Sequence, residues 1–243
     1  GAKEVLSYDE LCSLNLECIF LCVSNTPVAL NIAKELNKKL TPSTIIIDIT
    51  THHQTGSIEM LNIFKENNIN YCECPVMGGP MQSEEGILGG ILGASEKNYK
   101  IAEKYLKSFC KNIYHFGDVG QGAKAKLICN FLSLGTTTFV IETIKALKKH
   151  NINLEKFYKV AKLGSGNSGA LSRVADKAIN GDYKGYIFSV DNTLKDLTYI
   201  NDFLKDMPNS EKLSSLTKSF YKNASEKGMG DLLISELIEK DNN

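Results

Sequence analysis

The chain has 243 residues, 42% of them hydrophobic and 23% charged, enough for one large core or two modest ones. Its 28 basic and 28 acidic residues cancel, and Arg173 is the one arginine, so there is no basic field for nucleic acid and little scope for bidentate phosphate recognition. Seven cysteines, an odd number placed mostly in apolar runs, read as buried free thiols and fit a reducing cytoplasm better than a disulfide framework. The start at Gly1-Ala-Lys-Glu4 has no signal-peptide core, and no stretch reads as the run of about 18 apolar residues that a membrane span needs.

In chain order, Glu17–Val23 is a continuous apolar run, as expected of a strand covered on both faces. A helix pattern follows from Pro27 to Leu40, with proline suited to its first turn. Thr44–Asp48 reads as a second buried strand, Ser57–Asn67 as a helix and Asn70–Cys74 as a strand. Two more strands, Ile87–Gly93 and Asn112–Phe116, flank a helix at Glu96–Ser108. This alternation predicts a mostly parallel, doubly wound α/β sheet.

After Phe116 the character changes. Gln121–His150 is almost free of breakers and predicts one long helix. Helical patterns then run to the end, interrupted at Gly164–Gly169 and Gly181–Gly185, with a frayed tail at Asp241–Asn243. A boundary near Gly117 gives an α/β domain over 1–117 and an all-α domain over 118–243.

Four segments carry candidate chemistry. Val23-Ser-Asn25 and Asp48-Ile-Thr-Thr51 close two strands at the edge where doubly wound sheets bind ligands, although taken alone ordinary helix capping by Ser24, Asn25 or Thr51 is the simpler reading of their side chains. Pro75-Val-Met-Gly-Gly-Pro80 offers paired glycine amides to an anion such as a carboxylate, or is a plain tight turn. Gly120–Asn130 opens the long helix with Lys126 and Asn130 four residues apart, on one face, able to hold a polarised oxygen between an ammonium and a carboxamide, although by itself such a spacing reads as a solvated lysine on a surface helix. Lys195-Asp196 by itself reads as a solvated charge pair. Metal is not expected: His52 and His53 are adjacent and diverge, and Cys72/Cys74 lack a second pair.

Taken in order, these segments resemble the β-hydroxyacid dehydrogenase family, which includes relatives of 6-phosphogluconate dehydrogenase. Asp48-Ile-Thr-Thr51 is similar to the family's D-x-S-T and Pro75-Val-Met-Gly-Gly79 to its P-V-S-G-G loop. Gly120 to Asn130 matches G-x-G-x-x-x-K-x-x-x-N, Lys195-Asp-Leu197 matches K-D-L, and Gly228-Met-Gly-Asp231 resembles the lead-in to the final helix. The resemblance implies a Rossmann-like domain joined by a long helix to an all-α domain, NAD or NADP as cofactor, and a homodimer through the α-domain. It implies a short β-hydroxyacid, or its semialdehyde or keto form, as substrate. Lys126 is implied to be the acid/base and Asn130 to orient the reacting oxygen or the carboxylate. Met77, Gly78 and Gly79 are implied to line the carboxylate site, and Val23, Ser24, Thr51 and Lys195 to touch the cofactor.

Two departures follow. Met77 stands where the family has serine, and the opening strand, the G-x-G-x-x-G turn and the residue that selects NAD or NADP are absent from these residues. Either further residues precede Gly1 or the domain is a remnant, and the second case leaves a dehydrogenase-like fold used for dimerisation or partner binding as the alternative. An imine-reducing relative fits less well, because a proton-donating lysine suits a carbonyl oxygen better.

Overall fold

The structure, a computed structural model, describes residues 3–240. Two compact units divide the chain, one up to Leu127 and one from Ile128. The division falls inside the long helix, beyond the Gly117 boundary read from the sequence, because the first turns of that helix bury Ala123 and Leu127 within the α/β unit.

In the first unit the elements run α1 (Tyr8–Ser13), β1 (Cys18–Leu21), α2 (Thr26–Asn37), β2 (Ile45–Asp48), α3 (Gly56–Lys65) and β3 (Asn70–Glu73). They continue with β4 (Val76–Met77), α4 (Pro80–Glu84), β5 (Leu88–Leu92), α5 (Glu96–Leu106) and β6 (Cys110–His115), and α6 (Gln121–Lys149) begins here. Strands β1, β2 and β3 are parallel in that order, with Leu21, Asp48 and Glu73 in register at their carboxyl ends. A second sheet has the order β4-β5-β6, with β4 antiparallel and β6 parallel to β5. Reciprocal amide bonds between Glu73 and Gly93 stitch the two together.

The surroundings of β2 explain its run of three isoleucines. Ile46 enters a core with Leu36, Met60, Phe64 and Tyr71 under α2 and α3, while Ile45 and Ile47 enter another with Cys72, Leu92, Ala102 and Leu106 under α5. Burial on both faces favours apolar side chains over Ile45–Ile47, each isoleucine contributing about 1.5–3 kcal/mol, and Asp48 at the strand's end is buried only with hydrogen-bond partners. The elements α1, β4 and α4 carry too short a pattern to be read from sequence. Asn25 caps α2 through Val28 N (3.0 Å), and Pro27 lies in the first turn as expected.

The second unit holds the rest of α6 and α7 (Leu154–Ala161), α8 (Gly169–Ala178), α9 (Val190–Phe203), α10 (Pro208–Glu226) and α11 (Leu237–Lys240), with a 3-10 turn at Ile234–Glu236. Ser168 and Ser189 cap α8 and α9 through Leu171 N and Asn192 N. Within α6 the hydroxyls of Thr136, Thr137 and Thr138 each bond a carbonyl four residues back. That lets polar residues sit in an otherwise apolar helix. One 18-residue window of α6 accordingly reaches a mean hydropathy of 1.5, long and apolar enough to cross a membrane, which corrects the reading that no stretch has that property. The same composition suits a core helix, and 44% of the window is buried inside the protein. The expected frayed tail, Asp241–Asn243, lies outside the described residues.

Candidate active site

The register of β1, β2 and β3 brings three segments to one sheet edge: 22–25, 49–52 and 74–79. Val23 N donates to the Thr50 hydroxyl at 3.2 Å, tying the first two together. Ser24 is exposed, while Val23 and Thr51 are half-buried. Short side chains and turning backbone at the ends of parallel strands are what a dinucleotide needs in order to lie across such an edge. The expected contact residues of the first unit are thus brought together.

A buried network, which no motif pointed to, lies beneath this edge. His52 is 1% exposed and Asp48 fully buried; Nε2 of the histidine is 2.7 Å from Asp48 Oδ2 and Nδ1 is 3.1 Å from the Thr26 hydroxyl. Tyr71 also donates to Asp48 Oδ2, at 3.2 Å. Burial and the nearby carboxylates push the Tyr71 phenol well above its ordinary pKa. His52 therefore fixes the turn after β2. Among the described residues no group of three or more His, Cys, Asp or Glu side chains is gathered as a metal site.

The lysine reaches this edge from α6. Gly120 precedes the helix with φ +99°, a conformation costly for other residues. Lys126, half-buried, donates from Nζ to Val76 O at 2.7 Å and contacts Met77 Sδ at 3.4 Å. The thioether standing where the family has a hydroxyl is thus in contact with the candidate catalytic group. Gly78 has φ +131°, and a Cβ there would come within 2.5 Å of Leu88 Cδ2. Gly79 donates its N–H to Gln82 Oε1 at 2.9 Å, so an anion reaches that amide only by displacing the carboxamide.

In the second unit Asn130 Nδ2 donates to Asp196 Oδ2 at 2.7 Å, both residues being buried. Lys195 Nζ lies 3.1 Å from Asp196 Oδ1. Asp196 is therefore a buried anchor for Asn130 as well as for Lys195, where the sequence alone read a solvated pair. Lys126 and Asn130 occupy successive turns of α6, and each of these bonds stays within its own unit.

A parallel sheet with short turns at its carboxyl edge and a lysine held against the adjoining strand β4 is an arrangement compatible with a dinucleotide lying across that edge. Family comparison is narrower. Residues 1–117 match the NAD-binding domain of 6-phosphogluconate dehydrogenase, and residues 120–240 the NAD-binding domain of NADP-dependent 3-hydroxyisobutyrate dehydrogenase. The chain is 30% identical over 155 residues to 2-(hydroxymethyl)glutarate dehydrogenase of Eubacterium barkeri, an alignment covering 63% of this chain and 51% of that protein. It is 37% identical over 100 residues to a probable mitochondrial 3-hydroxyisobutyrate dehydrogenase of Dictyostelium discoideum, covering 41% of this chain and 31% of the relative. The matched regions thus span about half or less of these relatives. A solved 3-hydroxyisobutyrate dehydrogenase of Salmonella typhimurium shares the fold with a TM-score of 0.86 at 22% identity, over 96% of this chain and 82% of that one. The chain belongs to the β-hydroxyacid dehydrogenase family, and its cofactor class is NAD(P).

Proposed function

We propose that this protein interconverts a short β-hydroxyacid and its semialdehyde or keto form, with Lys126 as general acid/base. The observation that carries this reading is Lys126 Nζ at 2.7 Å from Val76 O, on the short strand β4 that follows the carboxyl edge. When bound, NAD(P)H would supply hydride to the carbonyl carbon in reduction, and NAD(P)+ would accept hydride from the hydroxyl-bearing carbon in oxidation. In reduction the Lys126 ammonium gives its proton to the carbonyl oxygen, and in oxidation the neutral amine takes it from the hydroxyl. Val76 O and Met77 Sδ hold the amine at β4 until a substrate oxygen replaces one of them. Gly78 and Gly79 receive the carboxylate, with Gln82 displaced from the second amide. Met77 narrows this site and makes it more apolar than a serine would. Val23, Ser24 and Thr51 hold the dinucleotide from the first unit. In the second unit Asp196 fixes Asn130 for the substrate and Lys195 for the cofactor.

A homodimer through the α-domain is the proposed assembly. Ile128, Leu132 and Phe139 recur on one face of α6 at 47%, 72% and 70% exposure, a stripe suited to a second copy. Sedimentation of wild type and Leu132→Asp tests it: loss of dimer in the variant supports the assembly, and a monomeric wild type refutes it.

The activity test is oxidation of 3-hydroxyisobutyrate and 2-(hydroxymethyl)glutarate with NAD+ or NADP+, and reduction of their aldehyde acids, by wild type and Lys126→Met. Turnover that disappears with Lys126 is expected. Turnover independent of it refutes the assignment. The alternative of a fold kept only for dimerisation or partner binding is less favoured, since most of the similar proteins are named as dehydrogenases, reductases or oxidoreductases, although a cytokine-like nuclear factor of Drosophila melanogaster is also among them.

A further inference from the structure

The residue that precedes helix α6 is Gly120, which has no side chain to offer as a cap, yet the N–H groups at a helix start need acceptors. Those of Gly120 and Ala123 are taken by a residue far away in sequence. Glu73, fully buried at the end of β3, accepts from Gly120 N at 2.7 Å and from Ala123 N at 3.0 Å through Oε1. Two glycines make the approach possible. A Cβ on Gly122 would lie 2.7 Å from Ile91 O and 2.8 Å from Gly93 N, and one on Gly93 would collide with the Glu73 carboxylate. Helix start and strand ends are therefore in backbone contact, with one carboxylate oxygen between them.

We propose that Glu73 is a positioning residue for Lys126, clamping the first turn of α6 to β3 so that the lysine amine is delivered to β4 at Val76 and Met77. The lever is short at both ends. Lys126 is three residues past Ala123, about 4.5 Å along the axis. Val76 is three residues past Glu73 in the chain that leaves β3. Both the amine and its acceptor are thus referred to the same carboxylate, and a shift of the helix start is passed to Nζ almost undiminished. A misplacement of about 1 Å at a reacting group can cost about a hundredfold in rate.

The carboxylate holds this place against its own desolvation. Burial raises the Glu73 pKa, while Ser57, the two amides and His52 act in the opposite direction. Tyr71, Cys72 and Cys74, close to it in the chain, also interact with it electrostatically. What the clamp requires is an acceptor oxygen more than a charge, so glutamine fits the place and leucine does not.

The proposal rests on Lys126 as acid/base, and its test separates the two. Glu73→Gln, Glu73→Leu, Gly122→Ala and Lys126→Met are compared in the full chain, using 3-hydroxyisobutyrate with NAD+ and NADP+. Glu73→Gln is expected to retain most of the turnover. Glu73→Leu is expected to lose kcat about 10- to 100-fold with KM changed less than about threefold. Amide exchange at Gly120 and Ala123 should accelerate in Glu73→Leu while the β2 amides stay protected. The 13Cε resonance of Lys126, which needs no turnover, should move in Glu73→Leu and stay in Glu73→Gln. If Glu73→Leu does not fold, Gly122→Ala supplies the same displacement with Glu73 intact, and the same resonance shift is expected. An unchanged Lys126 resonance in folded Glu73→Leu or in Gly122→Ala overturns the proposal, as does equal loss in Glu73→Gln and Glu73→Leu. Wild-type turnover in Lys126→Met sinks the catalytic reading instead, leaving the exchange and resonance data to judge the clamp alone.

Discussion

Replacing Gly122 by alanine inserts one methyl group between α6 and the strand ends, and its cost can be worked from the structure. The added Cβ meets Ile91 O at 2.7 Å, Gly93 N at 2.8 Å and Glu73 Oε1 at 3.1 Å. Two of the three are backbone atoms, so no side-chain rotation relieves the overlap, and the helix start must move. Overpacking of this kind costs about 1–3 kcal/mol. The move also stretches the two bonds to Glu73; hydrogen bonds to charged groups are worth about 1.5–3 kcal/mol each, so weakening both by half loses about as much again as one bond. Against this stands about 1 kcal/mol of helix propensity gained on leaving glycine. The balance is a destabilisation of about 2–5 kcal/mol. Gly135, in the same helix, has nothing within 4 Å of its would-be Cβ. Alanine there should gain about 0.5–1 kcal/mol. Urea unfolding followed by circular dichroism compares the two variants directly. The reasoning is refuted if Gly122→Ala unfolds at the same midpoint as Gly135→Ala, or above wild type.

The Glu73 pKa lies above its ordinary value of 4.5 in the folded protein, so the native state holds the extra proton as pH rises from there. Wild-type stability should therefore fall across that window relative to Glu73→Gln; urea midpoints between about pH 4 and pH 7 that run parallel for the two proteins count against the assignment. The Tyr221 and Thr138 hydroxyls are 2.6 Å apart and buried, and Thr138 also bonds Leu134 O. Tyr221→Phe thus removes one bond and strands no partner, for an expected loss of about 1 kcal/mol in the same unfolding assay. Cys22 is exposed, whereas Cys72, Cys74 and Cys110 are buried with their thiols pushed up, Cys110 to about 11. Iodoacetamide at about pH 8 should label Cys22 at least about tenfold faster than these three, as read by peptide mass spectrometry.

The α/β order and the long helix were legible because their signals are local. A strand buried on both faces favours apolar side chains, as in Ile45-Ile-Ile47, and α6 has a single glycine in its middle, Gly135. The four motifs were legible because each is a short run with its own spacing. What stayed hidden depends on partners far apart in sequence. Glu73 looks like an ordinary strand-end acid until β3, β5 and the start of α6 come together around it, its two amide partners being 47 and 50 residues away. Asp196 looked like half of a surface pair because its distinguishing contact, Asn130, is 66 residues distant. His52 seemed an isolated histidine, since its partner Asp48 lies across a strand-end turn and only burial of both makes the pair evident. Gln82 could not be foreseen over Gly79, because α4 is five residues long and carries no periodic pattern.

The central claim is that Lys126 moves the proton in an NAD(P)-dependent reaction. Single-turnover oxidation of 3-hydroxyisobutyrate, alongside calorimetric titration with NADH and NADPH, measures chemistry and cofactor binding separately in wild type and Lys126→Met. Cofactor affinity in Lys126→Met is expected to stay within about threefold of wild type, with the chemical step slowed by about 10²–10⁴, the range for a positioned general acid/base. A chemical step that proceeds at the wild-type rate without the lysine would contradict that claim.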